Sequence, residues 1–207
     1  NTKNKILKIE GIPDKIFKEE PVRIVRTLRF AIVYDLKIDH ELKAAIQNAS
    51  DSFQNLSFPI LTTEFQTIFK TCKSTKIFQN LVKCQIFSYC FPEIVKCLEK
   101  RNKNWHDKFQ ELNIGKRLSI ADEIQSENGN LSYILYFALL FEDFISDAQN
   151  TNKITIQFLR DQLYPICQKL AITKKDRDKL IKIFASQTKF QKFQEEKNNK
   201  NEELLLK

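Results

Sequence analysis

Residues 17–35 read FKEEPVRIVRTLRFAIVYD, and the spacing of apolar side chains in this stretch sets the fold class. Ile24, Val25, Leu28, Ala31 and Ile32 recur at steps of three and four, which puts them on one buried helical stripe. Pro21 is tolerated in a first turn, so the periodicity predicts a helix from about Phe17 to Asp35. The opposite side is crowded with arginine. Arg23, Arg26 and Arg29 lie within about 120° of one another around such a helix. Glu20 precedes Arg23 by three residues and shares that face.

The chain holds only seven arginines against 27 lysines, so three within seven positions is a concentration that asks for a reason. A guanidinium is a planar donor fork, suited to bidentate recognition where an ammonium is not. A carboxylate beside such a fork can read a base edge, and further arginines can hold phosphates. The same spacing fits a solvated helix with intrahelical Glu–Arg pairs worth about 0.3 kcal/mol each. Spacing alone leaves both readings open.

Outward from this stretch the chain repeats the helical pattern. Asp39 is placed to cap a helix carrying Leu42, Ala45, Ile46 and Ala49. Pro59 opens another, with Leu61, Phe65, Ile68 and Phe69 inward. Further helices are expected at 75–86, 93–101 after Pro92, 104–113, 130–148, 153–170 and 174–193, with a loop at Asn150-Thr151-Asn152. Residues 1–15 read as a short extended or helical lead-in ending in a turn at Gly11 and Pro13. No segment alternates convincingly with period two, and there is no internal repeat. Three glycines and five prolines in 207 residues leave few tight turns. The expectation is an all-α chain, a multi-helix array joined by short loops.

Composition narrows the function classes. Hydrophobic content of 42% and charged content of 29% describe a folded chain. The net charge of +8 favours polyanionic partners, nucleic acid or an anionic surface. The longest apolar run, YILYFALLF at 133–141, is far short of the ~20 residues of a membrane span, so it is read as core and no membrane partner is expected. Cys72, Cys84, Cys90, Cys97 and Cys167 form no C-x-x-C pair, and only His40 and His106 could join them at a metal. Reduced, buried cysteines in a cytoplasmic protein are expected. His106-Asp107 lacks the further ligands of a metallohydrolase. Asp176-Arg177-Asp178 has D-x-D spacing but stands at a helix start behind Thr173, a natural cap. No nucleophile–base set can be assembled, so this segment has no catalytic residues of its own. It begins with Asn and contains no Met, which reads as a segment of something longer.

The stretch GIPDKIFKEEPVRIVRTLRFA, residues 11–31, resembles the junction following the catalytic head in the bacterial poly(A) polymerase and CCA-adding tRNA nucleotidyltransferase family. The family pattern G-D-P-x-x-R-F-x-E-D-P-x-R-x-x-R-x-x-R-F-A is matched without a gap at Gly11, Pro13, Phe17, Glu19, Pro21, Arg23, Arg26, Arg29, Phe30 and Ala31. More weakly, DLKIDHELKAAI, ILTTEFQTIFK and IFSYCFPEI are similar to the segments that follow. NGNLSYILYFALLF and YPICQKLAITKK look like late helices of the poly(A) polymerase branch.

The resemblance implies a linker at 1–16, a neck at 17–92, a helical body at 93–193 and a polar tail at 194–207. It implies that Glu20 and Arg23 read the incoming base and that Arg26 and Arg29 support the nucleotide, with Glu19, Pro21 and Phe30 as supporting motif residues. ATP would be the substrate, and magnesium would be bound by a head domain absent here, so the full-length enzyme would be active and this segment alone inactive. The partners would be a nucleoside triphosphate and RNA 3′ ends, of messenger or small RNA or of tRNA. Poly(A) addition is the expected activity; CCA addition, or a head-less helical RNA-binding adaptor, is the alternative. The departures are Glu20 where the family has Asp, Ile12 for Asp, Ile16 for Arg and Ile60 for Arg.

Overall fold

In the computed structural model, residues 5–149 and 155–188 are described. They are overwhelmingly helical, and the all-α reading holds. The chain divides into two compact units, Asn1–Phe144 and Ile145–Lys207. The expected loop at 150–152 and the tail from 194 lie outside the described residues.

The stretch that sets the fold folds as two helices, not one. Helix α1 (Pro13–Glu19) begins earlier than expected and ends at Glu20, whose φ of −137° and ψ of 79° leave the helical region. The cause is Pro21: its ring crowds the preceding residue out of the α conformation. Pro21 itself, at φ −60° and ψ −24°, opens α2 (Val22–Val33). Ile24, Val25, Leu28 and Ala31 are buried, as the periodicity requires. A two-residue parallel pair, β1 (Ile6–Leu7) with β2 (Lys37–Ile38), ties the chain before α1 to the chain after α2. It is too short for alternation to have revealed it.

The C-terminus of α2 is closed from two sides. Asp35 sits at φ 52°, and the Leu36 N–H donates to the Ala31 carbonyl at 2.8 Å. This left-handed turn satisfies one of the carbonyls that a helix end leaves over. The Lys73 ammonium donates to the next two, Ile32 and Val33, at 3.2 Å each. A cation there also complements the negative end of the helix dipole.

Helix α3 (His40–Asn48) is capped as expected, the Asp39 carboxylate accepting from the Glu41 N–H. A 3-10 helix (Ala49–Asn55) leads to α4 (Phe58–Phe69), with Pro59 in its first turn. Next come α5 (Ser74–Lys83), α6 (Ile86–Cys90) and α7 (Pro92–Arg101).

One expectation fails beyond α7, and one helix there was not expected. Residues 103–111 are turns, not a helix, and α8 (Asn113–Asn128) follows them. Trp105 and Phe109, four apart and both fully buried, give the turn region a helix-like apolar spacing without a helix beneath it. Gly115 explains how α8 starts so close: a Cβ there would stand 2.2 Å from the Phe109 carbonyl oxygen. Gly129, at φ 67°, ends α8. Helix α9 (Tyr133–Gln149) follows.

The first unit's core is a chain of rings. Phe69 stacks on Tyr136 at 4.5 Å, Phe65 lies 5.5 Å from both Phe78 and Phe91, and Phe87 reaches Phe109 at 5.5 Å. Buried Asp122 of α8 accepts from Ser74 Oγ (2.7 Å), the Thr75 N–H and Thr75 Oγ1 (3.0 Å each), pinning α8 to the start of α5. Asp143 of α9 accepts from Arg101 and Arg117, joining α7, α8 and α9. In the second unit, α10 (Ile156–Lys169) is capped by Thr155, and residues 174–188 are helical behind Thr173.

Candidate nucleic-acid interface

The three arginines of α2 do not point separately into solvent. Arg23 Nε donates to Glu20 Oε2 at 2.6 Å, and Arg26 Nη1 donates to Glu20 Oε1 at 3.1 Å. Arg26 also donates through Nε to Glu64 Oε1 at 2.7 Å, and Arg29 donates through Nη2 to Glu64 Oε2 at 3.2 Å. The result is a ladder, Arg23–Glu20–Arg26–Glu64–Arg29, running along α2. Three guanidiniums face two carboxylates, so the ladder keeps one net positive charge.

Each rung has a local cause. The kink at Glu20-Pro21 turns Glu20 back toward α2. The three-residue steps put the arginines on one face, and α4 supplies Glu64 from the side. The hydrogen bond from Arg23 holds the Glu20 carboxyl below the usual glutamate range, against the opposing effect of burial and with help from the charges of Arg23 and Arg26. The bond to Glu64 raises Arg26 further. Both shifts keep the ladder charged. Glu19 does not join it; it lies 4.0 Å from Lys15 on the exposed side of α1.

Beside the ladder opens a cavity of about 270 Å3. Leu7, Ile9, Leu42 and Phe30 supply apolar surface, and Arg23 and Arg26 line its side with Lys8. Small apolar cavities with a few convergent polar groups are the usual form of a ligand site. Arg29 Cζ lies 4.6 Å from the Phe30 ring centre, a cation–π contact. The structure thus brings together Glu20, Arg23, Arg26, Arg29 and Phe30, with Pro21 setting the kink.

Residues 35–98 match the family model described as the probable RNA and SrmB-binding site of polymerase A. No curated protein sequence matches the chain. The matched region spans β2 through most of α7. It therefore includes Glu64 and Lys73, which hold α2 from outside, while the arginines themselves precede it. The chain contains a region similar to the RNA-binding part of a poly(A) polymerase.

Glu64 escaped the sequence reading. Its signal was present: it lies on the apolar stripe of Leu61, Phe65 and Ile68, and an acid on a buried stripe needs a partner. It is 7% exposed.

The remaining candidates take structural places. Thr173 Oγ1 accepts from the Asp176 N–H and donates to the Asp176 carboxylate, so the D-x-D acid belongs to a helix cap. His106 lies in the turns, its ring centre 4.2 Å from that of Trp105. The cysteines form no disulfide; Cys90, Cys97 and Cys167 are buried, whereas Cys72 and Cys84 are half-buried, a correction to the fully buried expectation. Burial pushes the Cys84 and Cys167 thiols up to about 11, which favours their protonated form. Among the described residues no group of three His, Cys, Asp or Glu side chains is placed to hold a metal ion. No described helix is long and apolar enough to cross a membrane.

Proposed function

We propose that this chain is the nucleotide- and RNA-binding portion of an RNA 3′-terminal nucleotidyltransferase of the poly(A) polymerase type, which adds AMP from ATP to RNA 3′ ends. The observation that carries the reading is the arginine ladder on the rim of an apolar cavity. A nucleobase entering the cavity would meet the Phe30 ring and apolar walls, while Glu20 and Arg23 present an acceptor and donors to its edge. Arg26 and Arg29, held in place by Glu64, would face the phosphates with little further ordering to pay for. The match at residues 35–98 supports RNA as the second partner. In this reading the metal-bound phosphoryl transfer belongs to a catalytic head, and the chain alone incorporates no AMP.

A head-less RNA-binding adaptor is the second reading. It is favoured by Ile12, which is 67% exposed where the resembling family carries Asp, so burial does not account for the apolar side chain.

Calorimetric titration of the chain with ATP tests the assignment. Arg23→Ala removes charge-assisted donors from a half-exposed position, and ATP affinity should fall roughly 10- to 100-fold with the fold intact. Unchanged affinity overturns the nucleotide role. Binding of oligo(A) should weaken steeply and log-linearly with salt, as phosphate contacts require. No ATP binding by the unmodified chain, with salt-dependent RNA binding retained, selects the adaptor.

A further inference from the structure

Beyond the cavity, α2 presents two aromatic rings that the core does not use. Phe30 and Tyr34, one turn apart, stack with ring centres 5.8 Å apart and planes 15° from parallel. Tyr34 is 62% exposed and Phe30 39%, and Arg29 lies against Phe30. Phe30 also lines the cavity beside the ladder, so the two rings run from its mouth out to solvent.

We propose that the exposed face of Tyr34 is a stacking platform for an unpaired base of single-stranded RNA, one helical turn from the nucleotide cavity. Resting on the reading above, this assigns a second base position to the same face of α2. Several observations favour RNA as the occupant. A ring pair is far smaller than the roughly 1,000 Å2 a protein partner needs, and the residue that follows it, Asp35, is charged and exposed. A single base needs only a flat π-face. The ladder beside it keeps a net positive charge, which suits the phosphates on either side of a stacked base. Asp35, next to Tyr34, pairs loosely with the Lys5 ammonium at 4.0 Å. The RNA-binding match begins at residue 35, directly after Tyr34.

The rigid setting makes the platform usable. Tyr34 closes α2, its N–H donating to the Phe30 carbonyl at 3.0 Å, and Leu36 and Lys73 fix the Ala31, Ile32 and Val33 carbonyls between the two rings' residues. The ring therefore starts from a held backbone, and stacking need order only the RNA.

The experiment uses the full chain and short oligo(A) carrying 2-aminopurine at its 3′ end, whose emission is quenched on stacking. The unmodified chain should quench it. Tyr34→Ala should abolish the quench and weaken binding roughly 5- to 100-fold, the range for losing one base–aromatic stack. Tyr34→Phe should keep both, and Tyr34→Leu, which retains apolar area without a π-face, should lose the quench. The salt slope should stay unchanged in all three, because no cation is removed. Melting temperatures should match that of the parent, since the side chain is exposed. Retained quench and affinity in Tyr34→Ala overturn the platform alone, and point to another use of the rings. Failure of the unmodified chain to bind oligo(A) at any salt overturns both this inference and the RNA role it rests on.

Discussion

Glu64 illustrates how much one side chain can organise. It lies 38 positions from Arg26 in sequence, yet its two oxygens accept from Arg26 and Arg29 at 2.7 and 3.2 Å. Replacing it with alanine would leave two guanidiniums packed side by side with no acceptor between them. Glu64→Ala should therefore lower unfolding free energy by roughly 1–3 kcal/mol, read from denaturant midpoints, whereas Glu64→Gln, which keeps one acceptor, should cost less. An unchanged midpoint for the alanine variant would mean that the ladder is a solvated surface pairing after all. The arginines were legible in the sequence because three-residue spacing is a local property. Their acceptor was not, because a carboxylate arriving from another helix leaves no local trace except an acid on an apolar stripe.

At the scale of elements, backbone chemistry corrects what periodicity suggests. The stripe from Ile24 to Ala31 specified α2 well, but it could not see that Pro21 would force Glu20 out of helix and so create the kink that turns Glu20 onto the ladder. The region after α7 misled for the complementary reason: Trp105 and Phe109 have helical spacing, yet they sit in turns against which α8 begins. Gly115 makes that arrangement possible. Gly115→Ala should destabilise the chain by about 1–3 kcal/mol, toward the upper end because the opposing atoms are backbone and cannot rotate aside. Thermal unfolding followed by circular dichroism measures this, and a neutral result would mean that the turn at Phe109–Gln110 yields easily. Gly129 at the far end of α8 was the clearest available sign of that helix, a glycine placed to leave it in the left-handed conformation.

For the whole molecule, the all-α architecture was legible from scarcity of glycine and proline and from repeated three- and four-residue apolar steps. Which helix meets which was not, since it depends on side chains far apart in sequence: Asp122 with Ser74 and Thr75, Asp143 with Arg101 and Arg117, Lys73 with the end of α2. These polar ties all lie within the first compact unit, as do the stacked rings. The chain's single tryptophan lies there too: Trp105 is fully buried, and its indole N–H has no acceptor among the described residues. The ring is thus an optical reporter of the first unit's core. Its emission should be blue-shifted and shielded from iodide, and should redden only when residues 1–144 lose their core. The far-ultraviolet helix signal registers the helices of both units. Superimposed or separated denaturation curves from the two signals would then tell whether the two units melt as one.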